Sequence, residues 1–123
     1  MNRPIKKILI VDDSPTERFF LTQILAGGGF DILTAENGEE GISRAKQLQP
    51  DLILMDVVMP GTNGFKAART LARDVATKDI PVILCTTKNQ VSDKAWGMRQ
   101  GVLDYLTKPV DGSLLLAKIA TLG

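Results

Sequence analysis

Two aspartates, Asp12 and Asp13, stand side by side at the end of the apolar run Ile8-Leu9-Ile10-Val11, and a third, Asp56, closes the run Leu52-Ile53-Leu54-Met55. An isolated Asp-Asp pair is most simply a solvated turn or cap. A third acid at the end of a neighbouring apolar run changes that reading. Three carboxylates about 4 to 5 Å apart repel by roughly 4 kcal/mol per pair at an effective dielectric of about 20, so the group needs a cation or raised pKa values. With all-oxygen donors and no histidine in the chain, the suited ion is a hard divalent one. Few carboxylates and several waters fit Mg²⁺ better than Ca²⁺, with Mn²⁺ as a substitute. Two further runs end in Cys85-Thr86-Thr87 and Leu106-Thr107-Lys108-Pro109, adding a hydroxyl and an ammonium. Thr86 alone is an ordinary strand residue and Lys108 alone an ordinary surface charge. Together with the acids they suit a phosphoryl group: a carboxylate as nucleophile, a metal and a lysine against the phosphoryl oxygens, and a hydroxyl as donor.

These residues share a site only if the runs they end lie side by side. Runs rich in Ile, Val and Leu begin near Lys7, Asp31, Asp51, Ile80 and Val102, with room for a helix after each. The first, third and fourth are continuously apolar, as in parallel strands covered on both faces. The alternation predicts an α/β domain: a (βα)5 three-layer sandwich around a parallel five-stranded sheet in the flavodoxin-like order 2-1-3-4-5. That order makes strands one and three neighbours, and ligands of such sheets bind at the C-terminal strand ends. Helix signals agree. Ser14 before Pro15, with Glu17 three residues on, predicts an N-cap and capping box, and Phe20, Leu21, Ile24 and Leu25 the helix's buried face. Gly27, Gly28 and Gly29 read as the turn that follows, since they lack phosphate-loop spacing. Asn37-Gly38 opens a second helix that Gln49-Pro50 stops, and a last helix starts near Asp111 with Leu115, Ile119 and Leu122 on its apolar side.

Composition narrows the function classes. The 123 residues carry 15 Lys and Arg against 14 Asp and Glu, with 44% hydrophobic residues, a balance that disfavours disorder and direct nucleic-acid binding. No apolar run approaches the roughly 20 residues of a membrane span, and no signal-peptide core follows Met1 to Lys7, so a cytoplasmic protein without membrane insertion is expected. One cysteine, Cys85, and no histidine exclude an internal disulfide, a Cys/His zinc site and His-based catalytic triads. Cys85, inside a strand, reads as a buried small hydrophobe.

From Ile8-Leu9-Ile10-Val11-Asp12-Asp13-Ser14 through Met55-Asp56-Val57-Val58-Met59-Pro60-Gly61 and Asn63-Gly64 to Thr86-Thr87 and Lys108-Pro109, nearly the whole chain resembles the receiver domains of two-component response regulators. The resemblance implies that Asp56 is the phosphoacceptor, charged from the phosphohistidine of a sensor histidine kinase or its phosphotransfer domain. It implies that Asp12, Asp13, Asp56 and the backbone carbonyl of Val58 hold Mg²⁺, that Lys108 pairs with the acid or phosphoryl group, and that the Lys108-Pro109 peptide is cis. Thr86 would swing toward the phosphate and let Tyr105, the switch aromatic, rotate inward. A downstream protein would read the change on the surface of the fourth helix, fifth strand and fifth helix. Val58 and Lys88, at the positions that flank the attacking water, imply slow to moderate self-dephosphorylation.

The expectation is thus a stand-alone receiver domain over residues 1–123 with no output domain, a phosphoacceptor signalling protein rather than an enzyme. The stretches Val11 to Glu17, Met59-Pro60-Gly61 and Asp93 to Pro109 are similar to single-domain regulators of type IV pilus twitching motility, and related ones occur in chemotaxis-like systems. Alternatives are a phosphate sink, a constitutive docking module and an aspartate-nucleophile phosphohydrolase. The last requires Asp-x-Asp where this chain has Asp12-Asp13. Trp96, in the predicted fourth helix, either packs in the core or anchors a partner.

Overall fold

The sheet is built of short strands, largely apolar in the middle and mixed at the edges: β1 (Lys7–Val11), β2 (Asp31–Ala35), β3 (Leu52–Asp56), β4 (Val82–Thr86) and β5 (Asp104–Thr107). All four pairings are parallel and the order is β2-β1-β3-β4-β5, so the predicted sheet is the observed one. The computed structural model describes residues 4–86 and 102–122. Within them lie α1 (Pro15–Ala26), α2 (Gly38–Leu48), α3 (Gly64–Arg73) and the C-terminal helix α4 (Gly112–Leu122). Thr87, Lys88 and the predicted helix around Trp96 lie outside the described residues.

Strand alternation divides the core in two. Ile8, Ile10, Leu52, Leu54, Ile83, Cys85 and Leu106 point to one face, where Leu21 and Leu25 of α1 and Leu115 and Ile119 of α4 cover them. Leu9, Val11, Ile53, Met55, Val82 and Leu84 point to the other, covered by Ala45 of α2 and Phe65, Ala67, Ala68 and Leu71 of α3. β3 and β4 are buried along their whole length, which explains their continuously apolar sequences.

The helix starts are set by side-chain caps. Ser14 Oγ accepts from the Glu17 amide, Asn37 Oδ1 from that of Glu40 and Asn63 Oδ1 from that of Lys66. Gln49 ends α2 with a left-handed φ of 48°. Two expectations for α1 need correction. The capping box is half formed, because the Ser14 amide donates to Asp12 Oδ1 at 2.9 Å instead of to Glu17. Phe20 is 40% exposed, since Leu21 and Leu25, one turn apart, already fill the helix's inward stripe. Among the described residues, no helix is long and apolar enough to cross a membrane.

Candidate functional site

Asp12, Asp56 and Lys108 meet because they continue one strand parity. Asp12 follows the alternation of Ile8 and Ile10, Asp56 that of Leu52 and Leu54, and Lys108 that of Leu106, all on the face covered by α1 and α4. At the C-terminal edge of β1, β3 and β5 this brings one oxygen from each of Asp12, Asp13 and Asp56 within 4.8 Å of one another. Lys108 Nζ donates to Asp12 Oδ2 at 3.0 Å and pairs with Asp56 Oδ1 at 3.1 Å. Asp12 and Asp56 are buried, whereas Asp13 is exposed.

One ammonium does not balance the three acids. Burial pushes the Asp56 carboxyl above the usual carboxylate range, the charge of Asp12 adds to the rise, and Lys108 opposes it without cancelling it. Burial alone would lower Lys108, but the hydrogen bond and charge of Asp12, with those of Asp56, hold its ammonium above the ordinary lysine value. The cluster is therefore short of positive charge. An all-carboxylate donor set in that condition fits a small divalent cation.

The backbone around Asp56 is closely packed. Val57 N–H donates to the Cys85 carbonyl at 3.3 Å and Gly64 N–H to the Val57 carbonyl at 2.8 Å. A Cβ at Gly64 would collide with the Asp56 carbonyl and sit 2.9 Å from Val57 Cα, so only glycine lets α3 start against the end of β3. Gly61 takes the left-handed turn in that loop, with φ 77°. Lys108 is held from its other end, since its amide donates to the Thr86 carbonyl at 2.7 Å, and the peptide that follows it is cis.

Thr86 ends β4, fully buried, and Tyr105 sits half-buried in β5. Leu84 pairs with Tyr105, so Thr86 and Tyr105 share the face of the sheet opposite to Asp56, two residues apart in register. The Tyr105 ring packs near Phe65, with centroids 6.4 Å apart. Val58, two residues after Asp56, is 60% exposed, and Lys88 lies outside the described residues. Cys85 is buried, and burial pushes its thiol up to about 12, consistent with an inert core residue.

Arg18 is a site neighbour that sequence reasoning missed. Its guanidinium donates to the Asp12 carbonyl at 2.6 Å and lies 3.5 Å from Glu36 Oε1. The available signal was its place one turn into the helix that follows the acids, because long helical side chains lean back toward the N-terminus.

A parallel doubly wound sheet with three acids and a lysine at its C-terminal edge is the architecture of a receiver-type domain. The family comparison agrees: residues 8–120 match the response regulator receiver domain, and the chain belongs to that family. It is 58% identical over 113 residues to Protein PilH of Pseudomonas aeruginosa, spanning 92% of this chain and 93% of PilH. Among solved structures, a putative response regulator from Chloroflexus aurantiacus superposes with a TM-score of 0.90 at 30% identity over 96% of this chain and 97% of that one. Vibrio cholerae chemotaxis protein CheY4 gives 0.88 at 28% identity over 97% and 99%. The chain spans about half the length of several DNA-binding regulators that it also matches.

Proposed function

We propose that the protein is a phosphorylation-controlled switch in which Asp56 accepts a phosphoryl group from the phosphohistidine of a sensor histidine kinase or phosphotransfer domain. The observation that carries this reading is the convergence of Asp12, Asp13 and Asp56 within 4.8 Å, with Lys108 paired to two of them. An Asp56 carboxylate oxygen forms the new bond to phosphorus as the phosphorus–nitrogen bond of the donor breaks, and the electron pair returns to the imidazole. Lys108 neutralises charge on the transferred oxygens, and Thr86 donates its hydroxyl to one of them. Asp12, Asp13, Asp56 and the Val58 carbonyl are the groups that would hold Mg²⁺, or Mn²⁺ in its place. The ion supplies electrostatic stabilisation of the phosphoryl oxygens.

The output we read is a change in protein binding around β5. Thr86 and Tyr105 lie on one face of adjoining strands, so movement of Thr86 toward a phosphoryl group frees the space into which Tyr105 rotates. Phosphorylation then shifts an equilibrium between two states of the surface that includes β5 and α4. The motif similarity to twitching-motility regulators and the 58% identity to PilH favour a type IV pilus or chemotaxis-like pathway.

The test is intact mass after incubation with acetyl phosphate and Mg²⁺. One phosphoryl adduct is expected on the native chain and none on Asp56→Asn or without metal. No adduct on folded, Mg²⁺-binding protein would overturn acceptance from small donors and move the reading to constitutive docking.

A further inference from the structure

Every polar atom of Asp12 has a partner. Its amide donates to the Ala35 carbonyl at 3.1 Å, Oδ1 accepts from the Ser14 amide at 2.9 Å, Oδ2 accepts from Lys108 at 3.0 Å, and its carbonyl accepts from Arg18 at 2.6 Å. Asp13 differs: among the described residues, no hydrogen bond or ion pair holds its carboxylate. Its direction depends on the backbone, and first on the plane of the Asp12–Asp13 peptide, because rotating that plane changes φ of Asp13 and swings its Cβ. The carbonyl of that peptide is the atom Arg18 grips.

Arg18 is itself well anchored. Its amide donates to Ser14 at 3.0 Å within the first turn of α1, its carbonyl accepts from Thr22 Oγ1 at 2.7 Å, and its side chain is only 16% exposed. Its second nitrogen lies 3.5 Å from Glu36, the residue after the Ala35 carbonyl that receives the Asp12 amide. The contacts close a ring through the end of β1, the end of β2 and the first turn of α1. A planar guanidinium with several donors in fixed directions suits this double duty in a way an ammonium does not.

We propose that Arg18 is a positioning residue that locks the Asp12–Asp13 peptide and thereby aims the otherwise unsupported Asp13 carboxylate into the cation site. The inference rests on the proposed function, since it assigns Arg18 a part in the affinity of that site for a divalent ion.

The experiment measures Mn²⁺ affinity by electron paramagnetic resonance and Mg²⁺ affinity by competition. It compares the native chain with Arg18→Met, Arg18→Lys, Asp13→Asn and the Arg18→Met/Asp13→Asn double variant, each with a thermal unfolding curve. Arg18→Met is expected to bind the ion about tenfold more weakly while unfolding as cooperatively as the native chain. Arg18→Lys, which keeps one donor for the carbonyl, is expected to recover affinity to within about threefold. The double variant is expected to bind no more weakly than Asp13→Asn alone, because Arg18 acts through Asp13. Native-like affinity in Arg18→Met, no recovery with lysine, or losses that multiply in the double variant would each overturn the proposal. If Arg18→Met does not fold, Glu36→Gln reads the same ring from its exposed end: about threefold weaker binding supports it and unchanged affinity refutes it. A native chain that binds neither ion would instead refute the proposed function.

Discussion

Replacing Asp56 with asparagine is expected to stabilise the metal-free protein, although it removes one partner of an ion pair. At separations up to 4.8 Å, Asp56 is repelled by Asp12 and by Asp13 with about 3.5 kcal/mol each at an effective dielectric of about 20. Lys108, at 3.1 Å, returns about 5 kcal/mol on the same scale. The balance is a net repulsion of about 2 kcal/mol, and solvent around exposed Asp13 reduces the gain on mutation to about 1 to 2 kcal/mol. Burial of the charge acts in the same direction, as the raised pKa of Asp56 records. The pH dependence follows from that sign. Between the ordinary carboxylate pKa of 3.8 and the raised folded value, the native state binds more protons than the unfolded chain, so this group's contribution to stability falls as pH rises through that window. The advantage of the Asn variant should therefore be full at neutral pH and shrink as the pH drops toward 4. Urea unfolding in chelator at low ionic strength, repeated across that range, measures it. Excess Mg²⁺ should reverse the order, because the ion binds the native acids and adds stability by mass action. An Asn variant less stable than the native chain in chelator at neutral pH, or a difference that ignores pH, would refute this account of the site.

Lys108→Met leaves Asp12 and Asp56 facing each other with no cation between them, and urea unfolding in chelator should show a loss of about 2 to 4 kcal/mol, which Mg²⁺ partly restores. Gly64→Ala drives a methyl into the Asp56 carbonyl and against Val57 Cα, so it should cost about 2 kcal/mol or more and slow adduct formation with acetyl phosphate, read by intact mass. Cys85, buried with its thiol pushed up to about 12, should stay unreactive to a thiol reagent at pH 8 in the folded protein and react promptly in denaturant. Labelling in native buffer at the denatured rate would contradict its placement.

The sheet was legible because the signal for it is local. Four-residue apolar runs such as Ile8 to Val11 and Leu52 to Met55 are what strands buried on both faces require, and Ser14 and Asn37 are caps whose chemistry acts within three residues. Local chemistry also misled in two places. Ser14 and Glu17 have the spacing of a capping box, but the competing acceptor, Asp12 Oδ1, is supplied by the preceding loop and takes the Ser14 amide. Phe20 fits an apolar stripe by spacing, yet the orientation of α1 on the sheet leaves its ring partly in solvent.

For the site, residue types and strand-end placement pointed to Asp12, Asp13, Asp56, Thr86 and Lys108 as candidates, because a parallel sheet puts its C-terminal ends along one edge whatever the details of packing, and the fold brings the three acids and Lys108 together. Tertiary structure alone decided how they are shared out. Strand parity and the register of β3, β4 and β5 send Asp12, Asp56 and Lys108 to the α1 and α4 face and set Thr86 and Tyr105 on the other. It alone decided the grip of Arg18 on the Asp12 carbonyl and the need for glycine at 64. The physical reason is range: capping and strand propensity depend on neighbours a few residues away, whereas Lys108 and Asp12 meet across a separation of 96 residues, where only the folded sheet fixes the distance.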